Sequence, residues 1–270
     1  MARYAAGEEP EECRIYHRSP ECACGNASCS QSSCHGDETL PGKAVFQGCL
    51  CALLDACSPP AAFEDRAGRC LEDLDAAVKA CLPQAGQWSV SAFGSAANGF
   101  GTSCSDLDVT VCGGGSCGGR EQEPVAVLRR LERCLLRRQP ELFRTRSAVF
   151  RARIPVLKLR YEEQLDVDLS VNNSAPLRNT RLLRAYADLD TRVVELGLAA
   201  KIWAKGRGLC GAAGGHLSSY AFLLMAIYYL QVGAPGSIPS LQGPGGANGS
   251  GGGHAVLAPP PLRAAGSAGR

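Results

Sequence analysis

The period of the apolar residues changes twice along this chain, and no other feature limits its fold as much. Over 43–57 and again over 64–81 apolar residues recur at three- and four-residue spacing (Leu71, Leu74, Ala77, Val78, Cys81), which marks one face of a helix. The period then shortens. Residues 106–111 alternate, with Asp106, Asp108 and Thr110 on one side and Leu107, Val109 and Val111 on the other, as a half-buried strand requires. Residues 88–93, 149–159 and 165–171 also read as strands. Between them a helix opens at Pro124, whose missing N–H suits the first helical position, and it buries Val127, Leu128, Leu131, Cys134 and Leu135. From 177 the helical period returns, predicting helices over 177–188, 191–205 and 217–230. The last is apolar nearly all round and is expected to be buried. This order predicts an α+β unit beside a helical unit.

The two ends of the 270-residue chain read differently from its middle. Residues 1–40 carry seven carboxylates against three arginines, with Cys22, Cys24, Cys29, Cys34 and His35. Their C-x-C-x₄-C-x₄-C-H spacing lacks the two C-x₂₋₄-C pairs of a common zinc site, so the segment reads as a cysteine-rich flexible arm. Residues 232–270 hold 11 glycines and 6 prolines, too little apolar surface for a packed core, so 233–270 read as a disordered tail. The Gly-rich stretch 113–119 reads as an exposed connection.

Fifteen cysteines, an odd count, accompany Glu8, Glu9, Glu11 and Glu12 where a secretory leader would be apolar. That combination predicts reduced thiols in the cytoplasm or nucleus. The longest apolar run, 220–230, is shorter than the ~20 residues that cross a bilayer, so no membrane span is expected. The formal net charge of +2 conceals a basic segment: residues 120–160 hold twelve Lys or Arg and four Glu, a local +8. That segment suits either a phosphate backbone or a solvated helix face.

The chemistry gathers on carboxylates. Asp106 and Asp108 leave one strand face together, and Asp166 and Asp168 repeat the arrangement on a later strand. Should the two strands be neighbours, three carboxylates converge into a cage for hard divalent cations such as Mg²⁺. Two such ions are the usual apparatus of in-line displacement at phosphorus. Gly94 and Ser95 end the preceding strand in the kind of turn that receives phosphate oxygens.

Residues 93–108, FGSAANGFGTSCSDLD, resemble the signature of the DNA polymerase beta-like nucleotidyltransferases, and within them the noncanonical poly(A) polymerases and terminal uridylyltransferases. The likeness continues through Asp168–Asn173 (DLSVNN), Arg178-Asn179-Thr180, the lysine helix Lys201–Lys205 (KIWAK), Leu217–Tyr220 (LSSY) and Tyr228-Tyr229-Leu230. The resemblance implies a polymerase beta-like domain, a mixed sheet with flanking helices, over 86–175. Beside it would stand a helical central domain built from 41–85 and 176–232 and truncated relative to the family.

It further implies template-independent addition of UMP or AMP to RNA 3′ ends, with UTP or ATP as donor and two Mg²⁺ or Mn²⁺ ions on Asp106, Asp108 and Asp168. Asp168, not Asp166, aligns with the third carboxylate. Gly94, Ser95, Ser105, Lys201, Lys205 and Ser219 would hold the triphosphate, Asn179 and Thr180 the ribose or base, and Tyr220 would stack on the base. The family's base-selecting stretch is represented here only by Ile238–Gln242 before Gly/Pro-rich sequence. The alternative is a catalytically silent binding or scaffold protein on the same fold.

Overall fold

The computed structural model describes residues 43–82, 88–113, 123–211, 214–233 and 237–242. The cysteine-rich arm, residues 114–119 of the Gly-rich connection and 243–270 of the tail lie outside the described residues.

Helices α1 (Lys43–Cys57) and α2 (Ala61–Cys81) precede strand β1 (Ser89–Phe93), the single-turn α3 (Ser95–Asn98) and β2 (Leu107–Cys112). Then come α4 (Pro124–Arg138), β3 (Phe143–Val149), β4 (Val156–Tyr161) and β5 (Leu165–Val171). The chain continues as α5 (Ala175–Leu189), α6 (Thr191–Gly206) and α7 (Ser219–Tyr228), with a π turn at Tyr229–Gly233.

The sheet runs β1-β2-β5-β4-β3. Only β2 and β5 are parallel, and α4, β3 and β4 form the crossover a parallel pair needs. The strand expected over 149–159 is confined to β4 at Val156–Tyr161, with turns and bends over 150–154, and a strand not expected, β3, ends at Val149. β3 is an edge strand that buries only Phe143 and carries a register shift between Thr145 and Ser147, so it shows no apolar alternation to read.

The alternation seen in the sequence becomes a two-faced sheet. Leu107, Val109, Leu157, Leu159, Val167 and Leu169 point to one side, where α2 and α4 cover them with Leu74, Val78, Leu128 and Leu131. A second cluster joins Cys57 of α1 to Leu183, Tyr186, Val193, Ile202, Leu223 and Ile227 of α5–α7. Residues 41–85 therefore do not act as one piece of the helical unit. α1 packs there, whereas α2 belongs to the sheet, because its stripe Phe63-Ala67-Cys70-Leu74-Ala77-Val78 matches the sheet's apolar face. Cys81 of α2 and Cys134 of α4 form a disulfide with a Cα separation of 6.5 Å, so the expectation of thiols throughout fails at this pair.

Two further expectations are corrected. α7 buries Phe222, Leu223, Ala226 and Ile227 but leaves Met225 and Tyr228, like Tyr229 of the following π turn, about half exposed or more, because one face only meets α6 among the described residues. The presumed tail is anchored over Ser237–Gln242. Ile238 fills the helical core, the Leu241 N–H and the Gln231 amide both donate to the Tyr186 hydroxyl at 2.9 Å, and Arg192 holds the Ser237 carbonyl. A single apolar anchor with satisfied backbone groups orders this strap where composition alone suggested none. No described helix is long and apolar enough to cross a membrane.

Candidate active site

Parallel pairing of β2 with β5 sets Asp108 directly opposite Asp168, and antiparallel pairing of β4 sets Lys158 beside Asp168. Asp106, one residue before β2, completes the group. The three carboxylates each offer an oxygen within 4.8 Å of the others'. Lys158 Nζ donates to Asp168 Oδ2 at 2.6 Å. Asp166 faces the same way but is taken by two arginines, Arg146 Nη1 at 2.7 Å and Arg160 Nη1 at 2.8 Å. Burial works to raise its pKa, yet the Arg160 and Arg146 hydrogen bonds hold it below the usual carboxylate value. Asp168 and not Asp166 stands in the cage.

The cage favours a cation. Asp108 is pushed up to about 7 by burial first, then by the charges of Asp106 and Asp168. Asp106, at the mouth of the site, is raised by desolvation and by Asp168. Carboxylates that repel one another in a half-buried cleft are the donor set a hard divalent ion relieves, and the residues fit such an ion.

Gly94 is required by the same crowding. Its φ of +70° lies in the left-handed region, and a Cβ there would run into the Asp108 carboxylate. The Gly94 N–H donates to Thr180 Oγ1 at 3.0 Å, so Thr180, almost fully buried, ties the turn to α5. Ser95 and Ser105 meet directly, Oγ to Oγ at 3.0 Å, and the Thr102 N–H donates to Ser105 Oγ. These contacts close the 94–106 segment over the end of the sheet.

Lys201 comes from α6. Its amine is buried and donates to the Phe100 carbonyl at 2.7 Å. Burial foremost, and Lys205 next to it, lower its pKa to about 8 against the pull of Asp106, Cys210 and Asp108. Gly197, one turn earlier, lets α6 approach, since a Cβ there would lie 2.6 Å from the Phe100 ring.

These groups line a cleft of about 420 Å³ between the sheet and α5–α7. It takes in Gly94, Ser95, Ser105, Asp106, Asp108, Asn179, Thr180, Lys201, Lys205, Ser219 and Tyr220, while Asp168 lines the adjoining cleft. Asn172 and Asn173 lie outside it. Asn172 Oδ1 accepts from Gly113, and the Asn173 N–H donates to Thr110, so this pair seals the ends of β2 and β5. Ser218 caps α7 by accepting from the Ala221 N–H.

The residues that sequence reading passed over are Lys158, Arg146, Arg160 and Cys210, whose thiol sits 3.1 Å from Ser219 Oγ. Lys158 and Arg160 carry a usable signal, polar residues alternating with Leu157, Leu159 and Tyr161. Arg146, on a strand without a period, carries none.

Residues 46–188, more than half of the chain, match the family described as poly(A) RNA polymerase, mitochondrial-like, central palm domain. The chain belongs to this family. The mitochondrial-like palm fold is the polymerase beta-like nucleotidyltransferase fold, and its relatives span both base preferences. Poly(A) RNA polymerase GLD2 of Xenopus tropicalis is 34% identical over 210 residues, covering 77% of this chain and 39% of that protein. Terminal uridylyltransferase 4 of Homo sapiens is 37% identical over 151 residues, covering 56% and 9%.

Among solved structures, the GLD-2/RNP-8 complex superposes with a TM-score of 0.64 at 27% identity, covering 74% of this chain and 60% of that one. The Cid1 poly(U) polymerase gives a TM-score of 0.62 at 25% identity, covering 75% and 60%. This palm chain thus spans about two fifths of the GLD2 relative's length.

Proposed function

We propose that the chain is a template-independent RNA 3′-terminal nucleotidyltransferase that adds UMP or AMP. The observation that carries this reading is the trio Asp106, Asp108 and Asp168, convergent within 4.8 Å at the meeting of two clefts. Relatives named as poly(A) polymerases and terminal uridylyltransferases support it.

In the reaction the terminal 3′-hydroxyl oxygen of RNA bonds to the α-phosphorus of a nucleoside triphosphate. The bond from that phosphorus to the α–β bridging oxygen breaks, pyrophosphate departs with the electron pair, and the hydroxyl proton is lost to water. Asp106, Asp108 and Asp168 would hold Mg²⁺ or Mn²⁺, two ions, which when bound supply activation of the hydroxyl and charge neutralisation on the leaving group. Lys201, Lys205, Ser95, Ser105 and Ser219 hold the triphosphate by charge and hydrogen bonds, on the cleft wall where the structure gathers them. Asn179 and Thr180 face the ribose or base, and Tyr220 offers a ring for stacking.

Primer extension tests this. A labelled RNA oligonucleotide is offered each of the four nucleoside triphosphates with Mg²⁺ or Mn²⁺, beside an Asp106→Ala/Asp108→Ala variant. Extension with UTP or ATP that the variant lacks is the expected result. No extension under any condition sinks the enzyme reading and leaves the alternative, a binding protein on the nucleotidyltransferase fold.

A further inference from the structure

The carboxylate trio stands between two clefts, and beyond the trio itself the mechanism above draws on the first. The second, about 970 Å³, opens beside Asp106 and Asp168 and runs between the start of α2 and the strands β3–β5. The clefts share Cys104, Ser105, Asp106 and Lys205, while Asp108 lines only the first and Asp168 only the second. On the nucleotidyltransferase reading, the donor takes the first cleft and the second is left for the acceptor, with the shared residues at their junction.

Strand geometry turns basic and acidic groups together into the second cleft, Lys158 and Arg160 from β4 opposite Asp168 and Asp166 from β5, with Asp106 and Glu163 also lining it. Lys158 and Arg160 alternate with Leu157, Leu159 and Tyr161, so burying the latter against α2 and α4 turns the former to the open side. Lys158 and Arg160 are about 7 Å apart along the strand, roughly one nucleotide of extended single strand. Arg146 of β3 joins them, with Arg66 of α2 also lining the cleft. Arg146 and Arg160 divide one carboxylate, Asp166, between them, leaving the trio with a net positive charge. Each guanidinium has five N–H donors, more than one shared carboxylate can satisfy. Both remain accessible, at 54% and 29% side-chain exposure.

The basic segment 120–160 is thereby divided. α4 places Val127, Leu128, Leu131 and Leu135 against the buried face of the sheet, so its arginines lie behind the sheet, away from the carboxylates. Arg146, Lys158 and Arg160 lie in front of it.

We propose that the Arg146–Asp166–Arg160 cluster is a phosphate clamp for the 3′-terminal backbone of the acceptor RNA, with Asp166 a positioning residue that holds the two guanidiniums in the cleft wall. The inference rests on the nucleotidyltransferase reading and assigns its acceptor side. Planar guanidiniums fixed on a carboxylate keep donors for phosphate oxygens at little entropic cost.

The test uses the full chain and a 5′-fluorescent single-stranded RNA of twelve nucleotides, read by anisotropy without nucleotide at several salt concentrations. Arg146→Gln/Arg160→Gln is expected to weaken binding about tenfold and lower the salt slope by about 1.4, the value for two single-strand phosphate contacts. Arg133→Gln/Arg137→Gln on α4 makes the same charge change behind the sheet and is expected to leave the Kd within about twofold. A triple variant that adds Asp166→Asn removes the orphaned carboxylate and should show the same loss, which covers the case of a poorly folding double variant.

Thermal stabilisation by nucleoside triphosphate with Mg²⁺ should be unchanged in the cleft variants, a readout that a general loss of structure would move. An unchanged RNA Kd in the cleft variants, an equal or larger loss from the α4 pair, or no RNA binding by the parent chain overturns the proposal. Failure of nucleotide incorporation with the cleft-dependent RNA binding intact overturns the enzyme reading instead.

Discussion

Lys201 shows how the placement of a single side chain can cost stability. A lysine with its amine buried and a pKa near 8 folds at a penalty, because the unfolded chain would hold that proton up to the ordinary value of 10.5. With the folded pKa below the unfolded one, the penalty is constant below about pH 8. It shrinks as pH rises from 8 towards 10.5, so this group makes the metal-free protein gain stability over that window, by up to something on the order of 3 kcal/mol. On the function proposed above, a triphosphate would reverse the preference, since it needs the charged amine. Calorimetric titration with a nucleoside triphosphate should therefore show affinity falling above about pH 8, with the fall absent in Lys201→Met, which binds weakly throughout. A flat profile from pH 7 to 9.5 in the parent chain refutes the assignment.

Asp108 carries the opposite sign. Its folded pKa of about 7 lies above its unfolded value of 3.8, so the metal-free fold loses stability as pH rises from about 4 to 7. Asp108→Asn should stabilise the metal-free fold at pH 7.5 by on the order of 1–3 kcal/mol, read as a higher melting temperature, while cutting nucleotide incorporation by more than about 100-fold. A lower melting temperature would show that the carboxylate is held by contacts stronger than the repulsion described here.

The elements around the site are uneven in what covers them, and α7 makes the point. Phe222 and Ile227 are buried against α6, whereas Met225 and Tyr228 on the same helix are 48% and 63% exposed. Phe222→Ala should cost about 3–5 kcal/mol in a denaturant titration, while Met225→Ala and Tyr228→Ala should stay within about 0.5 kcal/mol. Losses at Met225→Ala and Tyr228→Ala comparable to that of Phe222→Ala would mean that the outer face of α7 is packed in solution. The turn between β4 and β5 carries a different tension. Glu162 and Glu163 sit at φ of 47° and 56°, a left-handed conformation that two glutamates adopt at a cost. Glu162 is tied to Arg66 and Arg69 of α2, but Glu163 has only an exposed pair with Arg144. Glu163→Gly should stabilise the fold by about 0.5–1 kcal/mol, read as a higher denaturation midpoint with an unchanged slope.

Taken as one body, the molecule has two cores, one around the sheet and one among α1 and α5–α7, and the cleft of about 420 Å³ is the seam between them. Polar links across it include Gly94 to Thr180 and Lys201 to the Phe100 carbonyl, which lie in the cleft, and the Ser103 N–H to the Cys57 carbonyl of α1 at 2.8 Å. A ligand that fills the seam holds both halves. A nucleoside triphosphate with Mg²⁺ at 100 times its Kd should therefore raise unfolding stability by about 2.7 kcal/mol in a single cooperative transition. The effect should need the divalent ion and vanish in Asp108→Asn. Stabilisation that is independent of the ion would favour the scaffold reading.

Much of this site was legible before any coordinates. Alternation over 106–111 put two carboxylates on one strand face, the Gly94-Ser95 turn marked the approach of a ligand, and the run from Phe93 to Asp108 carried the family resemblance. These are local signals, written within a few residues by side-chain period and backbone freedom. Cross-strand register decided the rest. The residue period alone does not separate Asp166 from Asp168, which the family resemblance does, and the strand order β5-β4-β3 supplies the physical reason by giving Asp166 the Arg160 of β4 and the Arg146 of β3. The edge strand β3 has no period because nothing covers its outer residues. The half-exposure of α7, the anchoring of Ile238 and the division of the basic segment across the sheet likewise depend on what packs against what. A chain can spell its own periods and its reactive groups, but the neighbour of a residue fifty positions away is set by packing.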